Sequence, residues 1–116
     1  MIVGVGVDLV DLARFERAIT KTPELVEKIF AESERSGSVE TLAGRFAAKE
    51  ALVKAVGDPS GLQWHEVVVS KDALGKPSLS TTGSTASFVS GRGIKFLHLS
   101  ISHDAGSAIA FVVAES

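Results

Sequence analysis

The stretch Arg45-Phe46-Ala47-Ala48-Lys49-Glu50-Ala51-Leu52-Val53-Lys54-Ala55 reads as helix throughout, and it constrains the chain more than any other segment. Ser38 supplies a side-chain cap at the start, and Gly57 followed by Asp58-Pro59 supplies a stop, so the spacing predicts one long helix over 39–56. At about 100° per residue, Glu50 falls within roughly 60° of Ala43, Ala47 and Lys54. Leu42, Phe46, Val53 and Val56 form the adjacent apolar arc. A carboxylate at the edge of a core, walled by methyl groups, leaves room for a ligand or metal to approach. Lys54, one turn on, puts a cation on the same face.

The chain has 116 residues, enough for one domain with one core, here taken as residues 1–116. Its 45% hydrophobic and 22% charged content is that of an ordinary globular protein. No apolar run approaches the roughly 18 residues of a membrane span, so no membrane partner is expected. Met1 to Val7 lacks the basic region that opens a signal peptide and reads as a first strand. The absence of cysteine excludes a disulfide framework or thiolate zinc site and fits a reducing, cytoplasmic setting. A formal net charge of −2 gives no reason to expect nucleic acid.

Residues 2–7 alternate β-branched residues with glycine and end at Asp8. Gly4 and Gly6 weaken a strand unless another backbone packs close to them. Asp11 is placed to cap a helix over about 12–21, with Leu12, Phe15 and Ile19 facing inward. Thr22-Pro23-Glu24 starts a short second helix ending near Phe30, and 31–37 reads as a loop. Beyond the long helix the period changes. Residues 64–70 and 77–82 read as strands joined by a turn containing Asp72 and Gly75. A short helix runs from Gly83 to about Gly91, a strand over 95–102 follows, His103 to Ser107 turns, and 108–115 is a last strand. The expected fold class is α+β, with order β-α-α-α-β-β-α-β-β, an antiparallel sheet and one long central helix.

Asp8 and Glu50 are both carboxylates at the edge of an element, and two such oxygens with substrate phosphate and water are a common way to hold magnesium. Asp104 is a candidate third ligand; His65 and His98 lie on strand patterns and read as structural. Arg14, Arg17 and Lys21 recur at i, i+3 and i+7, either as a solvated helix face or as a docking stripe for an acidic partner.

Three anchors in order resemble the small 4′-phosphopantetheinyl transferases of the holo-[acyl-carrier-protein] synthase family. They are Gly4-Val5-Gly6-Val7-Asp8-Leu9-Val10-Asp11; Phe30 and Glu34 followed by Arg45-Phe46-Ala47-Ala48-Lys49-Glu50-Ala51 with Lys54; and Ser100-Ile101-Ser102-His103-Asp104 with Ala108-Ile109-Ala110. Departures are a short segment between Phe30 and Arg45, Ala31 in place of Ser or Thr, Phe46 in place of Trp, and Asp104 in place of Glu.

The resemblance implies a magnesium-dependent transferase of the same fold. It moves the 4′-phosphopantetheine arm of coenzyme A to a serine of apo acyl carrier protein and releases adenosine 3′,5′-bisphosphate, in fatty-acid or related biosynthesis. It implies Mg2+ held by Asp8 and Glu50, with Glu50 either base or ligand only; coenzyme A contacts at Lys54, Arg45 and His103; and carrier docking at Arg14, Arg17 and Lys21. It also implies a homotrimer with active sites between subunits. A non-catalytic binding module for coenzyme A or a carrier, on the same fold, is the alternative.

Overall fold

A computed structural model describes residues 1–116. Strand β1 (Ile2–Asp11) leads into helices α1 (Leu12–Lys21), α2 (Glu24–Ile29) and α3 (Val39–Val56). Strands β2 (Val67–Lys71) and β3 (Pro77–Thr81), helix α4 (Gly83–Gly91), and strands β4 (Phe96–Asp104) and β5 (Ser107–Glu115) complete the chain. The α+β order matches the sequence expectation. The strands form two antiparallel sheets rather than one: β1-β5-β4, and the hairpin β2-β3.

Helix α3 lies on the inner face of the three-stranded sheet, and the residue sizes there explain how close it comes. Gly4 and Gly6 face the helix; a Cβ at Gly4 would lie 2.0 Å from the Ala55 carbonyl oxygen, and one at Gly6 1.9 Å from that of Ala51. Ala47, Ala51, Ala108, Ala110 and Ala114 are all fully buried. Strand and helix therefore meet backbone to backbone, which only glycine and alanine permit. Larger residues fill the other side of α3, where Phe30, Leu42, Leu52, Val67 and Val69 are buried. The helix ends are as read from the sequence: the Thr41 amide donates to Ser38 Oγ at 3.2 Å, and Gly57 closes the helix with φ 87°. At α1, the Arg14 amide donates to Asp11 Oδ2 at 2.8 Å.

Four sequence expectations are corrected. β1 continues through Asp11 because β5 pairs along its whole length, so Asp8 sits opposite Ala110 inside the strand rather than at its end. Residues 32–34 form a 3-10 turn, not open loop, and deliver Glu34 into the core. Residues 64–66 form another such turn, and β2 begins only at Val67. His103 and Asp104 are strand residues; the β4–β5 turn is the pair Ala105-Gly106, with φ 50° and 74°.

Candidate active site

Asp8 enters the site from β1 and Glu50 from α3, the two elements held in backbone contact by Gly4 and Gly6. Both carboxylates line a cavity of about 360 Å³ with Asp11, Arg14, Phe15 and Phe46. Its walls are mostly apolar. Lys54, one turn after Glu50, donates to Asp8 Oδ1 at 3.1 Å and to the Val7 carbonyl at 2.9 Å. Half-burial raises the proton affinity of Glu50 above the ordinary carboxylate value of 4.5, the Asp8 charge raises it further, and Lys54 opposes both. Asp8 and Glu50 are thus close enough to repel, with hard oxygen donors suited to a divalent cation. Asp104 accepts from the Ala105 amide at 2.9 Å, and no group of three acids or histidines lies together anywhere in the chain.

Arg45 and His103 meet elsewhere. Arg45 precedes Glu50 by five residues, about 140° around α3 and about 7.5 Å along it. With Thr41, Val69, Lys71 and His103 it lines a second cavity of about 190 Å³. His103 Nε2 donates to the Glu40 carbonyl at 2.8 Å. Arg45 Nη1 donates to the carbonyls of Glu34 and of Ser36, the latter at 3.0 Å, while its Nε is buried without a partner. Arg14 joins the first cavity, whereas Arg17 and Lys21 stay exposed on α1. His65 bonds the Glu27 carbonyl, and His98 pairs with Glu115 at 2.9 Å on the outer sheet face.

Sequence reasoning missed a buried ion pair that ties β2, whose Val69 lines the second cavity, to α3. Glu34 and Lys49, both essentially without solvent exposure, meet at 2.7 Å. Glu34 also accepts from the amides of Ala31 and Val69, each at 2.8 Å. Lys49 also donates to the carbonyls of Trp64, at 2.8 Å, and Val67. Burial pulls the Lys49 ammonium below its usual range, with Glu34 holding it up. The pair ties the 31–36 segment and β2 to α3. Its trace in the sequence is the placement of Lys49 among alanines, the same oddity that marks Glu50.

The pattern describing the 4′-phosphopantetheinyl transferase superfamily matches residues 4–112, and the chain belongs to that family. Within it, the chain is similar to the holo-[acyl-carrier-protein] synthase of Clavibacter sepedonicus, with 53% identity over 115 residues that cover 99% of this chain and 97% of the relative. A crystal structure of the Neisseria meningitidis holo-[acyl-carrier-protein] synthase superposes with a TM-score of 0.92 at 35% identity, covering 100% of both chains. The Bacillus anthracis enzyme of that name, solved in complex with CoA (3′,5′-ADP), superposes with a TM-score of 0.82 at 40% identity, covering 100% of this chain and 98% of that one.

Proposed function

We propose that this chain transfers the 4′-phosphopantetheine group of coenzyme A to a serine hydroxyl of an apo acyl carrier protein, in the cytoplasm. The observation that carries the reading is the meeting of Asp8 and Glu50 in the lining of one cavity, with Lys54 bonded to Asp8. Family membership and full-length similarity to holo-[acyl-carrier-protein] synthases support it.

In this reading Asp8 and Glu50 are the residues that would hold Mg2+. When bound, the ion supplies charge neutralisation at the pyrophosphate. Asp8 is aimed by its ion pair with Lys54. Lys54, half-exposed, is within reach of an incoming phosphate and exchanges its bond to Asp8 for one to phosphate oxygen. Glu50 is the group placed to take the serine proton, directly or through water. The serine oxygen bonds to the phosphorus that carries the pantetheine arm. The pyrophosphate P–O bond on its far side breaks, and adenosine 3′,5′-bisphosphate leaves with that electron pair. Arg45 and His103 contact the 3′-phosphate end of coenzyme A, and Arg14, Arg17 and Lys21 receive the acidic carrier.

The outer face of the three-stranded sheet supports self-association as a trimer with shared sites. Val5, Val7, Leu9, Ile109 and Phe111 are exposed there on paired strands, with Leu9 at 65% exposure. A contiguous apolar sheet face of this kind marks an interface.

Intact mass of an apo carrier protein after incubation with this protein, coenzyme A and magnesium tests the reading. A gain of one phosphopantetheine group, abolished by chelator, is expected. Coenzyme A binding without any mass gain would instead favour the non-catalytic module. Light scattering that gives a monomer at working concentration would overturn the shared site.

A further inference from the structure

One titratable pair sits among the apolar side chains on the outer face of the three-stranded sheet. His98 Nε2 donates to Glu115 Oε1 at 2.9 Å, and the two side chains are 58% and 40% exposed. The register fixes their neighbours. His98 lies opposite Val113, Val113 lies opposite Val5, and Glu115 lies opposite Phe96. Val5 and Phe96 are exposed. The pair therefore stands inside the face proposed above as the contact between subunits. Few other charges reach it. The Met1 amine, where β1 begins, acts on the Glu115 charge. Lys95 lines a cavity on the opposite side of the sheet with Leu97 and Ser90. Asp104 is at the far end of β4 and accepts from the Ala105 amide. The other two histidines bond the carbonyls of Glu40 and Glu27. A face whose paired charges close on each other offers no net charge to a partner, so it suits another copy of this chain better than a strongly acidic or basic protein.

We infer that His98 and Glu115 form a proton-sensitive latch in the subunit contact, which tightens the assembly when His98 is protonated and loosens it when His98 is neutral. The inference rests on the reading of this face as the interface of a trimer with shared sites. With His98 protonated the pair is neutral as a whole, and a neutral pair enters a dry contact at less cost than a net charge does. With His98 neutral, the ring still donates to Glu115, but the contact must take in one uncompensated carboxylate per copy. Glu115 keeps that charge across the histidine range, because the bond to His98 holds its carboxyl below the usual range, helped by the amino terminus. Histidine titrates at about 6.5 when unperturbed, so the change of charge falls near neutral pH. The sign follows from linkage. The assembled chain holds the His98 proton more tightly than the free chain, so the added stability is complete below the free-chain value and is lost as pH rises through the assembled one.

The test is sedimentation equilibrium of the full chain between pH 6 and pH 8, with His98→Gln and Glu115→Gln variants. Both side chains are exposed in the single subunit, so circular dichroism should be unchanged in each variant. For wild type, the concentration at half-dissociation should rise by at least about tenfold across this span, since one linked proton gives up to tenfold per pH unit. His98→Gln keeps a neutral donor to Glu115 but cannot take up charge, so it should be weak and nearly flat with pH. Glu115→Gln removes the buried charge and should be flat and tight. A wild-type assembly that is indifferent to pH, or that tightens as pH rises, overturns the inference. So does a His98→Gln chain that keeps the wild-type dependence, since the proton then belongs to the Met1 amine or another group. A chain that is monomeric throughout overturns the shared-site trimer and this inference with it. If that monomer still loads a carrier protein in the intact-mass assay, the transferase reading stands.

Discussion

The two cavities are built on one helix and differ in the sign of their charge. At the first, α3 presents Glu50 beside Asp8, and apolar walls deepen the repulsion between the two carboxylates. At the second, Arg45 joins Lys71 and His103 with no acid in the lining. Only five residues separate Glu50 from Arg45, but the helical turn sends them to different faces. Each carries an uncompensated charge that a ligand can complete: a cation at the carboxylates, an anion at the basic cluster. A donor with several phosphates and an accompanying metal ion matches both demands. The difference teaches that a helix with nearly all of its sides buried still separates opposite charges, provided each emerges at a different edge of the packing.

The largest expected effect strikes the acidic site. Glu50→Gln should lower transfer by about a hundredfold to ten-thousandfold, the range for loss of a positioned base, with circular dichroism unchanged. Its sign on stability is opposite. A carboxyl group whose proton affinity is higher in the folded than in the unfolded chain favours folding while protonated, and that contribution is lost as pH rises from 4.5 through its raised folded value. The charged Glu50 therefore opposes folding at neutral pH. Glu50→Gln should melt at a higher temperature than wild type in chelator, and the gap should narrow when magnesium is added, because the cation stabilises only the carboxylate form. A mutant that melts lower in chelator breaks this account.

Next comes the scaffold of the basic site. Glu34→Leu strands the buried Lys49 ammonium without its partner and should cost about 3–5 kcal/mol in chemical denaturation. The double change Glu34→Leu with Lys49→Met should recover much of that loss, which would show that charge rather than volume is at fault. Gly6→Val should cost at least about 3 kcal/mol, since its Cβ meets the Ala51 carbonyl and not a movable side chain. The smallest effect is at the β4–β5 turn. Ala105 holds φ 50°, and Ala105→Gly should raise stability by about 1 kcal/mol with transfer unaltered. That change sharpens the comparison by showing that the turn beside His103 and Asp104 is scaffold only.

Much of this was legible in the sequence because the signals were local. Asp11, Ser38 and Gly57 mark helix ends by the chemistry of their own side chains, and the alternation over 96–101 gives the strand and its faces. The glycines of the first strand announced a close backbone neighbour, although not that it would be Ala51 and Ala55. Asp8 and Glu50 were paired by resemblance, and the fold brings them together. What stayed hidden depends on contacts between distant segments. Glu34 and Lys49 are fifteen residues apart with no shared period, so nothing local predicts their bond. Trp64 to Glu66 reads as strand, yet it is pulled into a turn where the Trp64 carbonyl serves Lys49. The extension of β1 to Asp11 required knowing that β5 would pair along all of it. Lys71 needed the true start of β2 before its face could be assigned.

The contact of Gly4 and Gly6 with Ala55 and Ala51 has one more consequence. Asp8 and Glu50 are spaced by two backbones in touch, with no side chain between them to change rotamer. Their separation behaves as a fixed gauge. Repacking elsewhere in the core, a shift in temperature or the arrival of a large carrier protein has little to act on there. The spacing of the two main chains that carry these carboxylates is thus written into the backbone, and any mutation that relaxes it must first push the helix off the sheet.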